Sequence, residues 1–503
     1  MKARRGFIAG AVTAGLALTM GMGTATAANP NTQQKMARAI TTEAVVAHLE
    51  ALEEIAQANN GTRAAGTSGY EATAQYIETV LRGAGYDPQR QYFSFDYFDL
   101  LEASLTEVSP TPGGVEHVVM SYSPSTPAGG VTGELAAPEV VTGCAPEDYA
   151  GADLSGQIAL VSRGGCTFAA KSAAAGSVGA EAIIIYNNVE GTLNGTLGGI
   201  DSAQIPTTGI TDAEGARLVA ELAAGPVVMT FDAQTFSETR ETFNILAETD
   251  SGRADNVVML GAHLDSVDSG PGINDNGSGS SAILETAVQL SKVNKLNNKV
   301  RFAWWGAEEF GLLGSWHYIE DLDANNPDEF ENIATYLNFD MVGSPNYIIG
   351  VYDADQSTYP APVTVPEGSV QTEQVFTDWF DSQGQAWVDT EFSGRSDYQG
   401  FLAAGIPASG LFTGADDVKT DEQVALFGGT AGITHDPNYH TPGDDLSNVN
   451  RTALGIMSDA IGAAAISLAQ DTSAINGKRS AGKSGNPHPR GDILMEGVQQ
   501  AAA

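Results

Sequence analysis

The chain has 503 residues, of which 42% are hydrophobic and 17% charged, so it is long enough for more than one small domain and can bury large cores. Its formal net charge of -38 at pH 7 argues against a nucleic-acid partner, because phosphate binding requires a basic surface. A well-solvated acidic surface is the expected result.

Residues 1–27 have the pattern of a secretory signal peptide: a basic start, an apolar stretch and the small residues Ala25-Thr26-Ala27. We expect cleavage before Ala28 and a secreted, extracellular monomer. The pair Arg4-Arg5 leaves both ordinary and twin-arginine export open. No later apolar run is long enough to cross a bilayer, so we expect no membrane span.

The only two cysteines are Cys144 and Cys166. Because export implies an oxidising compartment, we expect a disulfide between them. A pair alone matches no zinc pattern.

Residues 28–115 begin an α/β domain. Hydrophobic periodicity predicts helices over Thr42–Asn59 and Tyr70–Leu81, followed by a strand over Gln91–Leu100. The glycine-bounded loop Gly61–Gly66 between the helices has no assigned role.

Residues 116–235 are rich in prolines, glycines and short β-like segments, a pattern that predicts a separate, β-rich module. Strands are predicted near 157–161, 182–186 and 227–231. The segments Gly164–Phe168, Gly179–Asn187 and Ile205-Pro206 resemble the protease-associated (PA) domain inserted into many exopeptidases. The resemblance implies a lid or a substrate-positioning module. A stabilising insert without a binding role is an equal alternative.

Residues 236–470 return to alternating strands and helices. Apolar runs at 257–260, 300–305 and 333–339 alternate with helical segments, which predicts an α/β fold with a doubly wound, mixed sheet. From 471 to 503 the chain turns polar and basic, and we expect a disordered tail.

The candidate site residues follow the apolar runs. His263 and Asp265 come directly after the first run, and a glycine-rich turn then presents Asp275. Carboxyl ends of strands in such sheets meet at one edge, where ligands bind. We therefore expect these side chains to share one crevice.

Four further candidates are Glu308, Glu309, Asp340 and His440. Each alone has an ordinary alternative, such as a solvated surface group or a helix cap. Together the residues supply two imidazoles and several carboxylates, the chemistry suited to a pair of zinc ions. One carboxylate would bridge the metals, and Glu308 would remain free as a base.

Five motifs in this order resemble the secreted bacterial aminopeptidases with two co-catalytic zinc ions, of the Streptomyces leucyl aminopeptidase type. They are His263-Leu264-Asp265, the turn Gly272–Gly279, Trp305–Glu309, Asn338–Met341 and Tyr439–Thr441. The resemblance covers most of residues 240–470 and implies a zinc-exopeptidase fold.

The resemblance also implies a role for each candidate. One zinc would be held by His263 and Asp340, the other by Glu309 and His440, with Asp275 bridging them.

Two more roles concern catalysis. Asp265 would accept a hydrogen bond from His263. Glu308 would take a proton from the zinc-bound water and pass it to the leaving amine.

Looser matches suggest substrate contacts. Tyr439 and the segment Gly394-Arg395-Ser396-Asp397-Tyr398 resemble positions at which the family holds the substrate main chain and stabilises the oxyanion. Met341, Gly394 and Phe412 resemble an apolar pocket. A salt bridge of Arg395 with an acid such as Asp397, and core packing of Met341 and Phe412, are the alternatives. His317 and His435 fit no motif and are interpreted as structural.

These implications predict a zinc aminopeptidase that removes an apolar, leucine-like residue from peptide or protein N-termini. A di-zinc carboxypeptidase or dipeptidase is one alternative, but it would need a basic cluster that the site motifs do not supply beyond Arg395. A non-catalytic, receptor-like binding protein is the other, although the ligand residues and the base are all present. Calcium is compatible with the acidic surface but has no located site.

Overall fold

Three helices and one long strand form the first segment of the computed structural model, which describes residues 29–478. The predicted signal peptide and the predicted tail from residue 479 onward lie outside the described residues. Thr41 and Thr67 cap the second and third helices, because each hydroxyl accepts a hydrogen bond from a first-turn backbone N–H. The elements are α1 (Gln33–Ala39), α2 (Thr42–Ala58), α3 (Ser68–Gly83) and β1 (Gln89–Ser109).

The next segment consists of short strands and two helices, as the sequence predicted for a β-rich insert. The expected disulfide joins Cys144 and Cys166. The elements are β2 (Gly113–Gly114), β3 (His117–Val119), β4 (Val131–Ala136), β5 (Ile158–Ser162), α4 (Phe168–Ser177), β6 (Ala182–Tyr186), β7 (Thr207–Ile210) and α5 (Asp212–Ala224).

The third segment alternates strands and helices. Its elements are β8 (Val228–Glu248), β9 (Arg253–His263), α6 (Gly279–Leu290), β10 (Asn298–Trp305), α7 (Leu313–Asn325), α8 (Pro327–Glu331), β11 (Ile333–Phe339), β12 (Gly350–Tyr352), α9 (Ser369–Gln383), β13 (Val388–Thr390), α10 (Tyr398–Ala403), β14 (Ala408–Phe412), α11 (Asp421–Phe427), α12 (Arg451–Gln470) and α13 (Ser473–Asn476).

One path of hydrogen-bonded strands runs through the described chain in the order β13-β12-β14-β11-β9-β10-β8-β4-β5-β6-β7-β3. Strands β10, β9, β11 and β14 are parallel to one another in the centre of the sheet formed by the third segment. Strand β8 runs antiparallel to β10, and β12 runs antiparallel to β14. The predicted mixed sheet is therefore confirmed.

Helices cover both faces of this part of the sheet. Val258 and Leu260 of β9 point into a core that also contains residues of α2, α6 and α12, whereas Val257 and Met259 point into a second core with residues of α7 and α10. A strand covered on both faces must be apolar along its whole length. This explains the uninterrupted apolar run that precedes His263.

A long ribbon of two strands joins the third segment to the insert. Strands β1 and β8 each have 21 residues and pair antiparallel from Gln89↔Leu246 to Ser109↔Val228. The end of β8 pairs with β10, and its start pairs with β4 of the insert. The boundary predicted near Thr235 thus falls within β8, because this one strand serves both parts.

Helix α12 satisfies the length and composition of a membrane span, and among the described residues it is the one helix that does. Its most apolar window is 72% buried inside the protein. The expectation that no apolar run reaches spanning length was therefore wrong. The composition of α12 is explained by its packing against α1, α2, α6 and α9.

The chain remains folded beyond Asp471, where the disordered tail was predicted to begin. Helix α13 follows, Ile475 is buried, and Asn476 Nδ2 donates to Asn256 Oδ1 at 2.7 Å. These contacts attach the last described residues to β9, a central strand of the sheet.

Candidate metal centre

Three parallel strands end at one edge of the sheet and bring the predicted ligands together. Trp305 of β10 lies opposite His263 of β9, and Asn338 of β11 lies opposite Gly261 of β9. Asp340 directly follows β11. Residues that are far apart in the sequence therefore share this crevice.

The Asp275 carboxylate lies between two sets of ligand atoms. Its Oδ1 is 3.1 Å from Nε2 of His263, and its Oδ2 is 3.2 Å from Nε2 of His440. Asp340 Oδ1 lies 3.3 Å from His263 Nε2, and Glu309 Oε2 lies 2.9 Å from His440 Nε2. Each set could hold one metal ion, and the two sets share Asp275.

The donor chemistry of both sets fits zinc, which is bound by imidazole nitrogen and carboxylate oxygen. Glu309 Oε1 and Asp340 Oδ1 are buried without a hydrogen-bond partner among the described residues, although buried polar atoms are normally paired. Burial lowers the pKa of His440, but its bonds to Asp275 and Glu309 outweigh this and raise it to about 10. The site thus carries an excess of negative charge that a cation would neutralise.

Asp275 is held by an irregular helical turn, Ile273–Ser278. Asp444 accepts the backbone N–H groups of Asn274 and Asp275 at 2.8 and 2.9 Å. Gly272 begins the turn with φ 60°, and an added Cβ would lie 2.3 Å from the carbonyl oxygen of Asp275. A residue without a side chain is therefore required there.

Glu308 lies beside the two sets, with Oε2 3.8 Å from His263 Nε2. Burial raises the pKa of Glu308 well above its usual value. A raised pKa makes this carboxylate a stronger base than an ordinary glutamate, which suits it to accept a proton.

Asp265 lies behind these residues and differs from its predicted role. Its carboxylate accepts the backbone N–H groups of Glu308 and Glu309 at 3.2 and 3.3 Å. The Nδ1–H of His263 bonds to the backbone oxygen of Asp265 at 3.1 Å, while the nearer carboxylate oxygen is 3.7 Å away. Because the carboxylate is committed to the two amides, Asp265 orients the loop of Glu308 as well as the ring of His263.

Three residues at the metal centre have a backbone conformation that non-glycine residues seldom adopt. Ala307, Met341 and His440 have φ values of 56°, 52° and 57°. Each such residue costs about 1–3 kcal/mol and persists only where its surroundings fix it, often at functional sites. Thr413 supplies part of this support, because its N–H and hydroxyl both donate to the carbonyl of Met341.

A cavity of about 490 Å³ adjoins the ligands. Tyr398 is part of the cavity wall, whereas Gly394 is not. The N–H of Gly394 donates to the hydroxyl of Tyr398. Apolar and aromatic side chains form one part of the wall: Met341, Ile348, Tyr352, Tyr398 and Phe412. The cavity can accommodate an apolar side chain next to the metal-ligand atoms.

Arg395 and Tyr439 lie together at the cavity. Arg395 pairs with Asp416 at 3.0 Å, not with Asp397 as the alternative interpretation suggested, and it donates to the Tyr439 hydroxyl at 3.3 Å. The Tyr439 ring stacks on His440, with ring centroids 3.8 Å apart. Burial, reinforced by nearby carboxylates, raises the pKa of Tyr439 far above its usual value, so its hydroxyl remains protonated.

Some residues of the site have roles that the sequence analysis did not predict. Ser396 donates to Asp340 Oδ2 at 2.5 Å, and Asp444 lies next to motif residues that were singled out. Arg63 contacts the loop before Asp275 from a segment with no recognised motif. His435 was interpreted as structural, but it lines the cavity.

A separate acidic cluster is the nearest candidate for calcium. Carboxylate oxygens of Asp353, Asp355 and Glu373 lie within 4.8 Å of one another. Asp353 accepts backbone N–H groups of residues 357–359, and Glu373 accepts those of Ala354 and Asp355. Because backbone N–H groups already bond to carboxylate oxygens of Asp353 and Glu373, we assign no calcium site.

The chain matches two known sequence families. Residues 244–465 match peptidase family M28, and residues 131–218 match the PA domain. The first range contains every predicted metal ligand, and the second lies within the insert.

Curated relatives and solved structures extend the comparison. The probable lipoprotein aminopeptidase LpqL of Mycobacterium tuberculosis is 46% identical over 445 residues, covering 87% of each chain. Leucine aminopeptidase 2 of Trichophyton rubrum is 43% identical over 431 residues, covering 86% of this chain and 84% of the relative.

Among solved structures, an aminopeptidase from Aneurinibacillus sp. has a TM-score of 0.68 at 28% identity, covering 91% of this chain and 99% of its own. The zinc aminopeptidase BSAP of Bacillus subtilis has a TM-score of 0.55 at 28% identity, covering 84% of this chain and 94% of its own.

Proposed function

The chain belongs to peptidase family M28, and from this premise we propose that it is a secreted zinc aminopeptidase that removes an apolar, leucine-like residue from peptide N-termini. Because the chain belongs to this family and its relatives include aminopeptidases, it is an aminopeptidase, which is a hydrolase. The metal, the preferred residue and the location are the proposed part.

The position of Asp275 carries the proposal. One of its oxygens faces His263, and the other faces His440. A carboxylate that offers one oxygen to each of two ligand sets is suited to bridging two metal ions.

Zinc is the proposed metal because both sets offer nitrogen and oxygen donors, and because the similar structure from Bacillus subtilis is described as a zinc aminopeptidase. When bound, the two ions supply Lewis acidity, which activates water and polarises the scissile carbonyl. His263 and Asp340 would hold one ion, Glu309 and His440 the other, and Asp275 both.

Glu308 performs the proton transfers in this proposal. Its carboxylate takes a proton from the attacking water and delivers it to the leaving amine. Burial raises the pKa of Glu308, which makes its carboxylate a stronger base for the first of these transfers. The backbone amide bonds to Asp265 fix the loop that carries it.

Substrate binding follows from the cavity walls. The carboxylates at the ligand end suit the free ammonium of an N-terminus, and Met341 and Phe412 on the wall suit an apolar side chain. The protonated Tyr439 hydroxyl can donate a hydrogen bond to negative charge that develops on the carbonyl oxygen. Arg395, the one arginine or lysine on the described wall, is paired with Asp416, which does not favour capture of a free carboxylate.

The test compares hydrolysis of leucine p-nitroanilide with that of its N-acetylated analogue, before chelation, after chelation and after zinc is restored. We expect cleavage of the free-amine substrate alone, loss of activity on chelation and recovery with zinc. Cleavage of the acetylated substrate, or activity that survives complete metal removal, would exclude the proposed function.

Export is the second part of the proposal. Residues 1–27 have the pattern of a signal peptide, and the Cys144–Cys166 disulfide suits an oxidising compartment. We expect the protein in the culture medium with Ala28 as its N-terminus, as N-terminal sequencing would show. Retention of the intact chain inside the cells would contradict export.

A further inference from the structure

Arg63 lies fully buried against the loop that precedes Asp275 and has no role in the mechanism above. Its Nε donates to the carbonyl oxygen of Pro271 at 2.8 Å, and its two terminal nitrogens donate to those of Leu264 and Gly272 at 2.5 Å. None of these three bonds goes to a carboxylate. The planar guanidinium thus binds both ends of the loop 264–272, which separates His263 from Asp275.

The residues around Arg63 strengthen this attachment. Its backbone N–H donates to Ser266 Oγ at 2.9 Å, and the hydroxyl of Thr62 donates to the carbonyl of Val267 at 3.0 Å. Gly272 approaches so closely that an added Cβ would lie 3.1 Å from Nη2 of Arg63. The loop cannot shift relative to Arg63 without breaking several buried hydrogen bonds.

The loop has a second attachment on its other side. Asp444 accepts the N–H groups of Asn274 and Asp275, whereas Arg63 donates to the carbonyls that precede them. The bridging carboxylate is therefore held between a buried cation and a buried anion. The backbone oxygen of Asp444 also accepts the N–H of Ile273 at 3.0 Å, so Arg63 and Asp444 bind opposite ends of the Gly272–Ile273 peptide unit and fix the direction of the turn as well as its position.

The charge of Arg63 also acts on the metal centre. Burial lowers its pKa to about 10, and the nearby carboxylates of Asp265, Asp444, Asp275 and Glu309 oppose this shift. The side chain therefore remains a cation at neutral pH. An isolated buried charge is strongly unfavourable, so the carboxylates and the guanidinium stabilise one another.

We propose that Arg63 is a positioning residue for the metal centre: it fixes the loop 264–272 so that Asp275 faces both ligand sets, and it offsets part of the carboxylate charge. The inference rests on the proposed zinc dependence, since it assigns Arg63 a function toward the same two ions.

The main test is Arg63→Met in the otherwise unchanged protein, with zinc affinity measured by competition with a chelator. The variant keeps the bulk of the side chain but loses its charge and donors. We expect zinc affinity to fall by about 10- to 100-fold, the range for residues that orient metal ligands. At saturating zinc, kcat for leucine p-nitroanilide should fall while KM stays unchanged, because the variant does not alter the cavity wall.

Arg63→Lys separates charge from geometry. The ammonium group restores the positive charge but lacks the planar fork that reaches three carbonyls at once. We expect partial recovery of zinc affinity. Recovery to the wild-type value would overturn the positioning role, because charge alone would then be sufficient.

Arg301→Met is the matched control. Arg301 is also a buried arginine, but it pairs with Glu248 and Glu329. We expect this variant to be less stable with unchanged zinc affinity in the folded protein, whereas Asp275→Ala provides the reference for severe loss of zinc.

Two results distinguish failure of this inference from failure of the proposed function. Wild-type zinc affinity and kcat in folded Arg63→Met would refute the inference. If that variant does not fold, Arg63→Lys and Ser266→Ala decide. Ser266→Ala removes the acceptor of the Arg63 N–H and the hydroxyl bond to the carbonyl of Gly270, but it leaves the guanidinium in place and should weaken zinc binding more mildly. A wild-type protein that holds no zinc would refute the proposed function instead.

Discussion

Glu308 lies near the ligand atoms but belongs to neither of the two ligand sets that share Asp275. Its side chain is 9% exposed and lies 3.8 Å from His263. The neighbouring Glu309 is 2.9 Å from His440 and belongs to a ligand set. The proposal therefore assigns different roles to adjacent residues of one chemical type, according to the direction of each carboxylate.

Glu308→Gln tests this division. The amide keeps the shape of the side chain but cannot accept the proton, so kcat should fall by about 10² to 10⁴ while both zinc ions remain bound. Steady-state kinetics and metal analysis of the purified variant give the two values. Glu309→Gln is the adjacent control and should lose zinc. Normal activity of Glu308→Gln with full metal content would remove Glu308 from the mechanism.

The sequence predicted the residues of this crevice better than the contacts that support them. His263 and Asp340 were recognisable because each follows an apolar strand and lies in a motif. Arg63 was not, because its partners are carbonyl groups of a loop 201 to 209 positions away, and backbone partners leave no trace in residue type or spacing. The bond from Ser396 to Asp340 was not predicted for a related reason, since a single hydroxyl has many ordinary uses.

The β1–β8 ribbon is the element that the sequence described least well. Predicted strands at 91–100 and 227–231 cover only parts of two strands of 21 residues each. The middle of β1 is exposed on both faces, so no alternation of apolar and polar residues marks it. Strand β9 was predicted correctly because both of its faces are buried.

The base of the ribbon contacts the catalytic loop directly. Phe310, which follows Glu309, packs against Phe95 and Tyr97 of β1 with ring centroids 5.0 and 5.6 Å apart. Arg240 of β8 lies over the ring of Tyr97, 3.3 Å from its centroid. The ribbon up to this level is therefore part of the catalytic domain.

Replacement of residues 99–236 by Asn-Gly tests the role of the insert. Phe98 and Ser237 are directly paired, so a two-residue turn can close the strands into a hairpin. We expect hydrolysis of leucine p-nitroanilide to be retained and the preference among longer peptides to change. A protein with Cys144→Ser and Cys166→Ser, which keeps the insert, is the control. Equal loss on short and long substrates would indicate a stabilising insert.

At the scale of the molecule, composition and periodicity predicted a mixed α/β fold with a β-rich insert, and the comparisons agree. They did not predict that the catalytic and PA parts share β8, because pairing between strands depends on positions that periodicity does not encode. The shared strand makes the two parts continuous through backbone hydrogen bonds.

The distances along the chain between cooperating residues have a consequence for biosynthesis. Arg63 and Leu264 are 201 positions apart, and Asp444 and Asn274 are 170 apart. Contacts between such distant residues form late in folding, because the intervening chain must first be ordered. A nascent chain also lacks His440 and Asp444 until all preceding residues have been synthesised. The metal centre therefore cannot be completed before the segment with His440 and Asp444 has been synthesised, so shorter chains lack part of the ligand set.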